Sequence, residues 1–192
     1  MSLPAWPLFR CTLNLCDSGS RVRLPEPQWN YHVGEVLQLQ VIADFHNQQP
    51  AGVAAYLTVP EDVFQVQDLG LSGQLGTQPF RAGPLLEGSV VATNHLLPEG
   101  IGVAAAFPGQ QLDLAAVVGP GSAELDSQGV VATLSVIALQ AAAEAVIEID
   151  DNPIRETRMV LSDGRSERRF ISTEGLTIRV VDPTATVVTK QG

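Results

Sequence analysis

The sequence predicts an all-β protein, a two-sheet antiparallel β-sandwich of jelly-roll type, and three observations support this. Apolar and polar residues alternate with a period of two over many short runs. The runs are broken by Gly, Pro, Asn and Asp, and 17 glycines and 13 prolines supply turns throughout. Helical periodicity is nearly absent, so helix is expected to stay below about 10% of the chain. At 192 residues the chain fits one generous all-β domain.

The first candidate strand covers residues 9–15. The clearest covers 35–45, where Leu37, Leu39, Val41 and Ala43 face inward and Gln38 and Gln40 outward. After the turn-like Asn47-Gln48-Gln49-Pro50, a strand over 51–59 buries Val53, Ala55, Leu57 and Val59 and exposes Ala54, Tyr56 and Thr58. Further strands are expected over 63–66, 89–93, 102–106, 112–117, 130–139, 145–149, 155–161, 168–172 and 176–181. Within 129–138, alternation exposes Thr133 and Ser135 opposite Ala132, Leu134 and Val136. Residues 139–146 contain Ala141-Ala142-Ala143-Glu144 and favour helix, but they are too few to form one alone. They read as a connection with at most one helical turn. Ser162-Asp163-Gly164-Arg165 reads as a hairpin turn that places several arginines on one ribbon. No repeat is visible at any period, which excludes solenoids and propellers.

Charge is unevenly spread. Residues 24–153 hold fifteen acidic residues against one basic residue, Arg81, for a net −14, and the segments 1–23 and 154–192 sum to +2 each, giving −10 overall. Such a body repels phosphate backbones, so nucleic acid is not expected as a partner. No stretch approaches the roughly 20 apolar residues of a membrane span, so no membrane insertion is expected. The opening Met1-Ser2-Leu3-Pro4-Ala5-Trp6-Pro7 lacks the basic and apolar regions of a signal peptide. The chain is therefore either intracellular or starts after such a peptide. Cys11 and Cys16 lie five apart in an expected strand, on opposite faces and about 17 Å apart, and are expected to be free thiols.

Signatures of catalysis are missing. Gly70-Leu71-Ser72-Gly73 has the wrong spacing for a nucleophile elbow, and Gly119-Pro120-Gly121-Ser122 lacks the ending of a phosphate loop. His32, His46 and His95 are scattered singly, so no metal site or cofactor is expected. Glu148 and Asp150 would fall on one strand face at the spacing of a glycosidase pair or a calcium site. Asp150-Asp151-Asn152-Pro153 reads first as the turn that ends the strand. Trp29 and Tyr31 are the one aromatic pair that would serve a sugar platform, against a packed edge.

Three segments resemble a cohesin domain, the sandwich module with which scaffolding proteins of cellulose-degrading complexes hold dockerin-bearing partners. The first runs from Val33-Gly34-Glu35-Val36-Leu37-Gln38-Leu39-Gln40-Val41 through Ala51-Gly52-Val53-Ala54-Ala55-Tyr56-Leu57-Thr58-Val59-Pro60. The second joins Gln111-Leu112-Asp113-Leu114-Ala115-Ala116-Val117 to Gly129-Val130-Val131-Ala132-Thr133-Leu134-Ser135-Val136 through an acidic turn. The third pairs Ile147-Glu148-Ile149-Asp150 with Val160-Leu161-Ser162-Asp163-Gly164. Their order and spacing span about 145 residues.

The resemblance implies a sandwich of the cohesin and carbohydrate-binding-module kind. It divides the chain into an N-terminal extension packed as a strand (1–30), the cohesin-like sandwich (31–182) and a Thr-rich, linker-like tail (183–192). It further implies a non-catalytic protein-protein docking module with a dockerin-type or other protein partner, in an extracellular or cell-surface bacterial assembly. Cohesins bind partners on a flat sheet face, which makes Tyr56, Thr58, Asp113, Thr133 and Ser135 the expected partner-binding residues. The alternative is a carbohydrate-binding sandwich with a polysaccharide ligand, and a third reading is an unrecognised hydrolase.

Overall fold

The computed structural model describes residues 19–24, 30–46, 48–70, 76–98, 108–119, 125–163 and 166–183. Its strands, in chain order, are β1 (Arg21–Arg23), β2 (Asn30–His32), β3 (Val36–Asp44), β4 (Pro50–Val59), β5 (Phe64–Val66), β6 (Phe80–Ala82) and β7 (Val90–Leu96). They continue with β8 (Gln110–Val117), β9 (Gln128–Ala138), β10 (Ala142–Ile149), β11 (Arg158–Leu161), β12 (Glu167–Arg169), β13 (Ser172–Glu174) and β14 (Leu176–Val181). Among the described residues the one helical element is a 3-10 turn at Pro84–Leu86.

The strands form two packed sheets. One has the order β13-β1-β3-β9-β5, with β6 also on β9; the other runs β12-β11-β4-β10-β14-β2, with β8 on the second edge of β4 and β7 on β8. Most pairs are antiparallel, while β1 with β13 and β14 with β2 pair in parallel at the sheet margins. The core lies between the layers and is built by the two-residue alternation. Leu37, Leu39, Val41 and Ala43 of β3 face Val53, Ala55, Leu57 and Val59 of β4, and none of the eight is more than 1% exposed. Gly34, at φ +87, makes the turn between β2 and β3, where any side chain would strain the backbone.

Of the segment 139–146, read as a connection, residues 139–141 do connect β9 to β10, but the helix-favouring Ala142, Ala143 and Glu144 enter β10. Burial of Ala145, Ile147 and Ile149 on one face and pairing with β14 and β4 override a propensity too short to nucleate helix. A register irregularity between Ala142 and Ala145 is where the chain enters that strand. The expected strand over 168–172 is two strands, β12 in one sheet and β13 in the other. Between them Phe170 is buried against Phe45, with ring centroids 5.9 Å apart, and the chain crosses layers there. The strand expected from residue 155 begins only at Arg158. β1, β2 and β6, each of three residues, were not expected as strands from the sequence.

The hairpin expected around residues 162–165 is present as the antiparallel pair β11 and β12. The expected strands at 9–15 and 102–106, both cysteines, Trp29, residues 71–73, residues 120–122 and the tail from 184 lie outside the described residues.

Candidate docking face

Strand β4 is the centre of the eight-stranded sheet. Along one edge it pairs with β8 from Gly52 to Val59. Its other edge is shared: Leu57 and Thr58 pair with β10, whereas residues 50–54 pair with β11. β10 and β11 run in the same direction, so they are two halves of one strand interrupted by an excursion. Eight residues, 150–157, stand opposite only two on β4, Ala55 and Tyr56. The base of this loop is closed by Asp150 N donating to Tyr56 O (2.8 Å), Thr157 N to Asp150 O (3.1 Å) and Tyr56 N to Thr157 Oγ1 (3.2 Å). Asn152 shapes its tip, since its Oδ1 accepts from the backbone N–H of Ile154 and of Arg155, both at 3.0 Å.

Arg155 leaves this loop and reaches back across the outer face of the sheet. Its side chain is buried and all three of its nitrogens donate hydrogen bonds. Nε donates to Asp150 Oδ2 at 2.7 Å and Nη1 to Asp113 Oδ1 at 2.6 Å. Nη2 donates to the carbonyls of Leu57 (3.2 Å) and Leu112 (3.0 Å), which face each other across β4 and β8. The planar guanidinium suits this arrangement and also lies over the Tyr56 ring, 5.2 Å from its centroid. Thr58 Oγ1 sits 2.9 Å from Asp150 Oδ1 and 3.2 Å from Gln111 Oε1 and donates its one hydrogen to either.

Burial pushes the Asp113 carboxyl above the ordinary range for Asp, and the Arg155 guanidinium opposes that shift. Tyr56 is also raised, first by burial and then by the Asp113 charge, so its hydroxyl stays a neutral donor and acceptor. The site is therefore a half-buried aromatic ring, a hydroxyl and a carboxylate held rigidly around one cation.

Of the five expected partner-binding residues, the structure brings together Tyr56, Thr58 and Asp113. Thr133 and Ser135 are also outward-facing, but on β9, on the outer face of the opposite sheet. The expectation of one face bearing all five is overturned because β9 pairs with β3, placing the core between it and β4. The alternation on both strands is as read, with Tyr56, Thr58, Thr133 and Ser135 all half-buried.

Other readings change as well. Glu148 and Asp150 do share the outer face and border one open pocket, but Glu148 is exposed, whereas Asp150, just past the end of β10, is covered by Arg155. That guanidinium and Thr58 occupy the carboxylate a calcium ion would need, and among the described residues no group of three His, Cys, Asp or Glu is placed to hold a metal. Tyr31 is 4% exposed, part of the core and not a sugar platform.

Arg155 was missed from sequence. The signal was its position just after Asp150-Asp151 as the first cation to follow Arg81 in a strongly acidic body.

No family model matches the chain, and no curated protein matches it. Solved structures do. A type II cohesin domain from the cellulosome of Acetivibrio cellulolyticus superposes with a TM-score of 0.63 at 13% identity, covering 83% of this chain and 94% of that one. The fold is that of a cohesin module.

A non-cellulosomal cohesin from the archaeon Archaeoglobus fulgidus matches with a TM-score of 0.54 at 14% identity, over 84% of this chain and 91% of that one. The cohesin in a type I cohesin–dockerin complex from Clostridium thermocellum gives 0.54 at 9% identity, over 84% and 99%. The likeness to cohesins is thus one of backbone architecture, with the side chains on the outer faces free to differ.

Proposed function

We propose that this chain is a non-catalytic docking module that binds a dockerin-type protein domain on the outer face of β4 and β8, within an extracellular or cell-surface assembly. The observation that carries the reading is the Arg155-centred arrangement. Tyr56, Thr58 and Asp113 are fixed in place before any partner arrives, so little side-chain entropy is lost on association. A half-buried tyrosine in the middle of a flat sheet is the residue type that most often anchors protein interfaces. Support from fold comes from neighbours solved as cohesin–dockerin complexes. The acidic body favours a partner with a basic face and faster association at low salt.

A calorimetric titration of the chain against a panel of dockerin modules tests this. Saturable binding that Tyr56→Ala weakens by about 2 kcal/mol, in a variant that melts as a folded protein, is the expected result. Absence of binding across the panel, or unchanged affinity in the folded variant, would overturn it.

A further inference from the structure

The two sheets share a construction at their centres. On β4 the second edge passes from β10 to β11 at Tyr56, and the guanidinium of Arg155 fills the outer face of that handover with two carboxylates and two carbonyls around it. On β9 the second edge passes from β5, which pairs with Val136–Ala138, to β6, which pairs with Ala132–Leu134. Ser135 sits at that handover and its carbonyl takes the backbone N–H of Gln67 at 2.9 Å. Here too an arginine stands on the outer face: Arg81 of β6, directly across from Thr133.

The second arginine has no internal carboxylate. Among the described residues the Arg81 side chain makes no hydrogen bond or ion pair, although it is the one cation among fifteen acidic residues in the segment 24–153. Asp68, next to the pocket residue Leu69, spends its Oδ1 on the backbone N–H groups of Gly70 (2.9 Å) and Gln78 (3.0 Å). In place of carboxylates, Arg81 borders an open pocket of 150 Å³ lined by Gln38, Leu69, Thr133, Leu134 and Ser135. That volume holds about five waters at ~30 Å³ each, far more than a lone carboxylate needs and close to one sugar ring. Two hydroxyls and an amide can exchange hydrogen bonds with sugar hydroxyls, and Leu69 offers an apolar surface to a ring's C–H face.

We propose that this pocket binds a uronic acid residue of an acidic polysaccharide, with Arg81 taking the carboxylate and Gln38, Thr133 and Ser135 the ring hydroxyls. The guanidinium fork matches a carboxylate with two parallel hydrogen bonds. The surrounding acidic body repels anions elsewhere, so occupancy depends on the pocket and not on general attraction. Because Arg81 and Arg155 lie on opposite sheets, a partner on the docking face leaves this pocket open, and the two activities stand or fall separately.

The test is an NMR titration of the nitrogen-15-labelled chain, following backbone amides and arginine Nε–H signals. The probes are sodium glucuronate, glucose and N-acetylaspartate. Glucuronate should shift the Arg81 Nε–H and the amides of Leu69, Thr133 and Ser135 in a saturable way, while glucose, lacking the charge, binds at least about tenfold more weakly. Arg81→Gln should lose roughly tenfold or more of the glucuronate affinity with an unchanged melting temperature, Arg81→Lys should lose less, and Ser135→Ala should lose a few-fold. Shifts spread over the whole surface, or glucuronate binding indifferent to Arg81→Gln, would overturn the site. N-acetylaspartate binding as well as glucuronate would overturn the saccharide and reassign the pocket to a protein carboxylate.

Discussion

The guanidinium of Arg155 lies 5.2 Å over the ring of Tyr56, a side chain from one strand pinned beneath a cation that arrives from a loop far along the chain. The same guanidinium joins Asp150 to Asp113, so one residue links the interrupted strand, the centre of the sheet and the face proposed for docking.

Removing that cation should be costly. In Arg155→Ala, Asp150 and Asp113 lose their shared counter-charge while half or more of each stays out of water, and the expected loss is about 3–5 kcal/mol. Arg155→Lys keeps the charge but cannot reach two carboxylates and two carbonyls at once, so its loss should be intermediate. Urea unfolding of the three proteins measures both. A loss below about 1 kcal/mol for Arg155→Ala would show that the loop, and not the ion pair, holds this region.

Tyr56→Ala should behave differently. The ring faces outward, so its removal leaves the core intact and forfeits chiefly the contact with Arg155, about 0.5–1 kcal/mol. A thermal melt checks this, and cooperative unfolding within a few degrees of wild type is the expected outcome.

Two carboxylates should give opposite pH dependence. Asp113 is raised in the folded protein, chiefly by burial, so its contribution is fully present below the unfolded-state pKa and is lost as pH rises through the higher folded value. Asp113→Asn should therefore flatten the decline of stability above the ordinary Asp range. Asp68 is lowered by the backbone N–H groups of Gly70 and then Gln78, so its contribution is present above the unfolded pKa and is lost as pH falls through the lower folded value. Asp68→Asn should flatten the acid side instead. Denaturation midpoints followed across acidic to neutral pH separate the two.

Two core positions test the packing. Phe45→Ala removes a fully buried ring that meets Phe170 where the chain changes sheets, with an expected cost of about 3–5 kcal/mol. Gly52→Ala adds only a methyl group, but its Cβ would lie 2.3 Å from the Ala116 carbonyl oxygen and 2.6 Å from Val117 Cγ1. A cost of about 1–3 kcal/mol follows, from strain between β4 and β8. Chemical denaturation that found Gly52→Ala neutral would mean that the two strands can part without penalty.

The amino-acid sequence by itself determined the layers. A period of two is a property of the strand, so Leu37 to Ala43, Val53 to Val59 and Ala132 to Val136 declare their inward faces without reference to any neighbour. The same local rule made Tyr56, Thr58, Thr133 and Ser135 outward-facing, and the cohesin-like order of segments pointed to the sandwich that contains them. What alternation cannot state is which sheet an outward residue belongs to, because that depends on which strands pair. Only tertiary pairing put Thr133 and Ser135 on one side of the protein and Tyr56 and Asp113 on the other. Pairing also overrode the helical preference of residues 142–144, created the three-residue strands and split one strand around Arg155. The burial of Arg155 was hidden for the same reason: its partners Asp113, Leu57 and Leu112 are distant in sequence, and they become its ligands only when β4, β8 and the interrupted strand lie side by side.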